Sequence, residues 1–138
     1  MRRLFVLLLF LMTFGFNSFG QVSNEKEVIG KWKVEKITEK PTNPQFKPLI
    51  DGFKNSTFAF NQNGNFSLTT TSKSEIFGMI TQMTNDTKWK FEQKEQYVKI
   101  GNKEDNYSIM GISIKEVNGK KLFYLDESGM TLEMKKVE

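Results

Sequence analysis

Chemistry in this 138-residue chain has few carriers, because there is no histidine, no cysteine and no arginine after Arg2 and Arg3. Without imidazole or thiol, Ser-His and Cys-His nucleophile pairs cannot be assembled. Zinc sites built on those donors are excluded too, as is haem held by a proximal histidine. What remains is carboxylate, lysine, hydroxyl and the three tyrosines Tyr97, Tyr107 and Tyr124. Two adjacent acid pairs, Glu104-Asp105 and Asp126-Glu127, are the arrangement best suited to acid–base work or calcium. Both fall in turn-forming sequence, where acids are ordinary, and no calcium-loop spacing surrounds them. The expectation is a protein that is not an enzyme, with no metal and no cofactor.

The stronger signal is apolar. Thr38 to Asn55 carries Phe46, Leu49, Ile50 and Phe53, and Ser72 to Met83 carries Ile76, Phe77, Ile80 and Met83. The first segment holds all three prolines (Pro41, Pro44, Pro48) and reads as a long loop. In the second, apolar residues recur at helical spacing behind Ser72 and Glu75, a capping-box pair, which favours a short helix or lid over the alternative of a ninth strand. If the two inserts meet, they form an apolar cover with the usual character of a small-molecule pocket. The tyrosine hydroxyls are the groups that would orient a ligand there.

The remaining chain supplies the frame. Trp32 and Val34 alternate with Lys31, Lys33 and Glu35, the period-two pattern of a half-buried strand. Phe58 and Phe60 precede Asn61-Gln62-Asn63-Gly64, after which Phe66, Leu68 and Thr70 resume the alternation, a strong hairpin signal. Trp89 and Phe91 lead through Glu92–Gln96 to Val98 and Ile100. Tyr107 to Val117 turns at Asn118-Gly119 and returns as Leu122 to Leu125, and Asp126 to Gly129 leads into a strand with Met130, Leu132 and Met134 on one side. These are eight strands joined mostly by tight turns. Closing such a sheet on itself removes its two exposed edges, so the expected fold is all-β, an eight-stranded antiparallel up-and-down barrel. An interior of that size is filled by side chains or holds one small ligand. The inward set would be Trp32, Val34, Phe58, Phe60, Phe66, Leu68, Trp89, Phe91, Val98, Ile100, Met110, Ile112, Ile114, Leu132 and Met134. It contains no charged side chain, so a bound molecule should be mostly apolar.

Gly30-Lys31-Trp32 at the start of the first strand resembles the Gly-x-Trp signature of lipocalins, in which the tryptophan packs across the closed end of the barrel. The long loop after that strand, Phe58 to Phe66, Thr87 to Phe91 and the terminal Met130 to Lys136 extend the likeness. Together they resemble short secreted lipocalin-like proteins of Bacteroidetes-type bacteria, over about residues 28–137. The resemblance implies a lipocalin-like barrel with the loop after the first strand lying over its mouth, and Gly30 and Trp32 as the barrel-end motif. The arginine that commonly caps the tryptophan in lipocalins is missing; Lys135 and Lys136 stand nearest.

Arg2 and Arg3 precede the apolar run Leu4–Phe16 and the more polar Asn17–Gly20, the order of a secretory signal. Residues 1–20 are therefore expected to be a cleaved signal peptide and residues 21–138 the barrel domain. The thirteen-residue run is short of the roughly twenty residues a membrane-spanning helix needs, so no stable membrane insertion is expected after cleavage. Without the two arginines, 18 lysines face 16 acids, a net charge of +2. That balance implies no nucleic-acid partner. The functional expectation is an exported bacterial protein, periplasmic or secreted, binding a small and mostly apolar molecule in the barrel mouth as carrier or sensor. The alternative is a non-catalytic envelope interaction module with a filled barrel, contacting a protein partner through its loop end.

Overall fold

The computed structural model describes residues 23–137, so the expected signal peptide lies outside the described residues. Eight strands form one closed antiparallel barrel in simple up-and-down order. They are β1 (Gly30–Glu39), β2 (Ser56–Phe60), β3 (Asn65–Thr70), β4 (Thr87–Glu92), β5 (Tyr97–Gly101), β6 (Met110–Val117), β7 (Lys120–Leu125) and β8 (Thr131–Lys136). Each strand pairs with the next, and β1 closes the sheet by pairing with β8 from Trp32–Lys136 to Glu39–Thr131. Bulges between Val34 and Lys36 and between Ile37 and Glu39 bend β1 along that seam. Two of the tight turns use the left-handed backbone that asparagine and glycine tolerate: Gly64 has φ +91°, and Asn118 and Gly119 have φ +52° and +76°.

The inward set packs into one cluster of rings. Trp32, Phe58, Phe60, Phe66 and Phe123 sit with neighbouring centroids 5.3–6.2 Å apart, mostly tilted or edge-on. This fills the barrel through its middle and lower half, as eight strands permit. Phe91, opposite Val98, is only half-buried but packs against the cluster. Phe123, Leu125 and Met130, fully buried, join it. A short helix α1 (Glu25–Val28) leads into β1 at the closed end. Val28 is buried there, and the Trp32 indole Nε1–H donates to its carbonyl at 2.9 Å. Lys136 Nζ lies 5.5 Å from the centre of the Trp32 ring, so the capping cation is this lysine, supplied by β8.

The opposite end is built differently, and three expectations are corrected there. The predicted loop from Thr38 to Asn55 is largely structured: β1 runs on to Glu39, Pro44–Phe46 form a 3-10 turn, and Lys47–Lys54 form helix α2. Pro44 and Pro48 occupy first-turn positions, where a missing N–H removes no helical bond, so they start helices instead of breaking them. Helix α3 spans Glu75–Thr84 and is capped by Ser74, whose Oγ accepts from Phe77 N at 3.3 Å. Ser72, the expected cap, instead donates from Oγ to Asp51 Oδ2 at 2.8 Å and ties the approach to α3 onto α2. The sixth strand starts at Met110, not Tyr107, because Asn106 and Tyr107 take positive φ after a 3-10 turn at Lys103–Asp105.

Candidate functional site

Strand parity decides which loops meet. In an up-and-down barrel every second connection emerges at the same end, so the β1–β2, β3–β4, β5–β6 and β7–β8 connections gather at the mouth. The first two contain α2 and α3; the last contains the Asp126–Gly129 turn. β3 and β4 pair only at Asn65–Lys88 and Phe66–Thr87, and α3, inserted between them, packs on β3 and α2.

The α2–α3 contact has a fixed anchor. A Cβ on Gly52 would fall 2.1 Å from the Phe77 ring, so only glycine lets the ring lie on the α2 backbone. Phe77 is fully buried and meets Phe53 edge-on at 4.8 Å. Ser56 Oγ donates to Phe53 O at 2.7 Å and Thr70 Oγ1 to Gly52 O at 2.9 Å, fastening the end of α2 to β2 and β3.

Above the packed rings these elements enclose a cavity of about 180 Å³. Phe46, Leu49 and Phe53 line it from the α2 segment; Ile80, Met83 and Thr84 from α3; Ile109, Met110 and Leu125 from the barrel; Glu127 and Ser128 from the last turn. Five of the eight expected lid residues, Phe46, Leu49, Phe53, Ile80 and Met83, converge there. The other three do not. Phe77 is a plug between helices, and Ile50, one residue round α2 from Leu49, packs against the core. Ile76 is 55% exposed and turned outward by the phase of α3, bordering a shallow groove with Lys47, Pro48 and Asp51.

The polar edge of the cavity comes from the β7–β8 turn, and a neighbouring tyrosine sets its position. Tyr97 lies across Gly111 so closely that a Cβ there would meet its hydroxyl oxygen at 1.7 Å. That hydroxyl donates to Asp126 Oδ2 at 2.5 Å. Burial, followed by the Asp126 carboxylate, raises the Tyr97 pKa well above the ordinary phenol range, so the phenol keeps its proton. Asp126 N donates to Gly111 O at 3.1 Å, and Glu127 Oε1 accepts from Gly111 N at 2.9 Å. The turn is thus clamped to β6 through both polar groups of one glycine. Glu127 reaches the rim, still open to solvent on one side, and the desolvation by its neighbours raises its pKa above the usual glutamate range, more than its backbone hydrogen bonds lower it.

Gly30 and Trp32, the barrel-end motif, lie at the far end from this cavity. Tyr97 braces the turn from outside, while Tyr107 belongs to the β5–β6 turn and Tyr124 is 38% exposed on β7; none of the three lines the cavity. Asp105 organises its own turn, accepting from Asn102 N and Ser108 N at 3.1 Å each. Thr84, Ile109, Met110, Leu125, Glu127 and Ser128 are the lining residues that sequence reading did not assign to the site, although Met110 was expected to point into the barrel. Parity alone would have placed the Glu127 turn at the mouth. No protein-family model, curated protein or solved structure matches this chain.

Proposed function

We propose that this protein binds one small, mostly apolar molecule in the barrel mouth, as an exported, non-catalytic carrier or sensor. The observation that carries the reading is the cavity of about 180 Å³, lined by eight large apolar side chains and open at a rim. An apolar cavity of about 150 Å³ takes up benzene, so this volume suits a molecule of about one ring or a short chain. The larger ligands of roomy barrels, which occupy roughly 300–1,000 Å³, do not fit above a ring-filled interior. Structural preorganisation favours binding: α2 and α3 are locked through Gly52 and Phe77, so ordering the lid adds little to the free-energy cost of association. The Gly30-Lys31-Trp32 resemblance to lipocalin-like proteins points the same way, as does the secretory-signal pattern of residues 1–20.

A second reading is favoured by one specific observation. Ile76, Met79 and Met83 form an apolar stripe on α3, exposed by 55, 64 and 62%. Such a stripe suits an envelope interaction module that contacts a protein partner through its loop end.

The test is native mass spectrometry of the protein purified from the exported fraction of its host, before and after organic extraction. An added mass that extraction removes, and that Leu49→Asp abolishes, is the expected result. A bare mass in both forms, with no uptake of environment-sensitive apolar dyes, would overturn the binding reading in favour of the interaction module.

A further inference from the structure

The mouth cavity has a single ionisable group in its lining, and that group is an acid. Glu127 Oε1 accepts from Gly111 N at 2.9 Å, so its carboxylate is held by backbone N–H groups, which are neutral donors, and not by a cation. The ion pairs described elsewhere use other acids: Lys99 with Glu92, Lys120 with Glu133 and Lys121 with Glu116. The adjacent Asp126 is bound by the Tyr97 hydroxyl, a neutral donor, so it adds negative potential beside Glu127 without being neutralised. The lysine excess of the chain therefore does not extend to this lining.

The other polar atoms at the cavity do not change the balance. Thr84 Oγ1 donates back to Ile80 O at 3.0 Å and Thr81 O at 3.2 Å, within its own helix. Ser128 Oγ accepts from Met130 N at 3.3 Å and keeps a lone pair for a donor and its O–H for an acceptor, so it favours neither charge. A ligand end arriving here meets the Glu127 carboxylate, and the rings of Phe46 and Phe53 also line the cavity. Ring faces and carboxylates favour the same partner, a cation. A carboxylate or phosphate would face an uncompensated like charge, and a neutral molecule would partly desolvate Glu127 without pairing it.

We propose that the cavity takes a small protonated amine, with a single ring or short apolar chain as its body and its ammonium held by Glu127 at the rim. This rests on the cavity being a ligand site. The body fills the space between Leu49, Phe53, Ile80, Met110 and Leu125, and the ammonium donates to Glu127 and Ser128. The Tyr97–Asp126 bond and Gly111 serve as positioning elements that hold the carboxylate toward the opening.

Three single-ring probes of nearly equal shape separate the possibilities: benzylamine, benzyl alcohol and benzoate. Each is titrated at neutral pH into the wild type and into Glu127→Gln, following the methyl resonances of Ile109, Met110 and Leu125 by NMR. Gln keeps the carbonyl that accepts from Gly111 N, and benzyl alcohol binding reports whether the variant retains its cavity. The expected result is benzylamine binding about tenfold more tightly than benzyl alcohol in the wild type, with benzoate weakest. Glu127→Gln should remove the preference for the amine over the alcohol while the alcohol still binds. If the alcohol matches or exceeds the amine in the wild type, or the preference survives in Glu127→Gln, the amine assignment fails while the cavity reading stands. If none of the three probes moves the cavity methyls, the cavity reading itself fails.

Discussion

The two ends of this barrel solve the same problem, covering an apolar opening, by opposite means. At the closed end, Trp32 and Phe123 fill the space themselves, with centroids 5.5 Å apart. Hydrogen bonds then tie the chain before β1 onto them, since Ser23 exchanges bonds with the Gln96 side chain at 2.9 Å in both directions. At the mouth, two helices, joined through Phe77 on the Gly52 backbone and tied to β2 and β3 by Ser56 and Thr70, stand over the strands and leave space beneath. A side-chain plug maximises dispersion contacts and gives one packed state. A helical cover leaves apolar side chains facing unfilled space, the usual character of a small-molecule pocket. The difference teaches that this fold commits its rings to stability at one end and keeps its adaptable residues, Met83 among them, for the other.

The largest expected effect lies in the plug. Phe123→Ala opens a void against Trp32, Phe58 and Phe60, whose ring centres are 5.5–6.0 Å away, and should cost about 3–5 kcal/mol in chemical denaturation. A loss under about 1 kcal/mol would mean that the closed end relaxes around the void, and the contrast between the two ends would collapse.

A smaller effect is expected at the cover. Gly52→Ala forces the Phe77 ring off α2 and should cost about 1–3 kcal/mol through overpacking. Methyl resonances of Ile80 and Met83 should shift in this variant while the Trp32 indole N–H stays in place. Movement at both sites would show the two ends to be mechanically coupled.

The smallest effect concerns pH. With its pKa raised in the folded state, Glu127 holds its proton more tightly there than in the unfolded chain. Its favourable contribution is complete below the unfolded pKa and is lost as pH rises through the folded one. Unfolding free energy measured across mildly acidic pH should therefore decline slightly in the wild type, and less so in Glu127→Gln. Identical slopes would place Glu127 in solvent rather than at the cavity edge. The ion pairs Lys99–Glu92 and Lys121–Glu116, on the outer surface, give the background against which that slope is read.

Much of the frame was legible because strand alternation and turn chemistry are local. Trp32, Val34, Phe58, Phe60, Phe66 and Leu68 are inward because every second side chain of a strand points the same way. Asn118-Gly119 turns where a mirror-image turn needs left-handed residues. The mouth was less legible, for reasons visible in particular residues. Prolines at positions 44 and 48 are breakers in the middle of a helix and good starters in its first turn, and composition alone does not tell those placements apart. Ser72 and Ser74 offer the same hydroxyl two residues apart, and Asp51, distant in sequence, decided between them by engaging Ser72. Phe77 and Ile80 share helical periodicity, yet one became a plug because Gly52 left room for a ring.

By itself, then, the sequence determined the strand count, the inward faces, the absence of imidazole and thiol chemistry, and the apolar character of both inserts, since each is a property of residue type and short-range order. Only the tertiary structure decided that Lys136 caps Trp32, that α2 and α3 lock through Gly52 and Phe77, and that Glu127 becomes the acid at the rim of an apolar cavity. Those outcomes join residues from about twenty-five to over a hundred positions apart in the chain, or, for Glu127, depend on Tyr97 and Gly111 holding a turn against another strand. Closure of the barrel brings such partners together, and no local pattern encodes the distance between them.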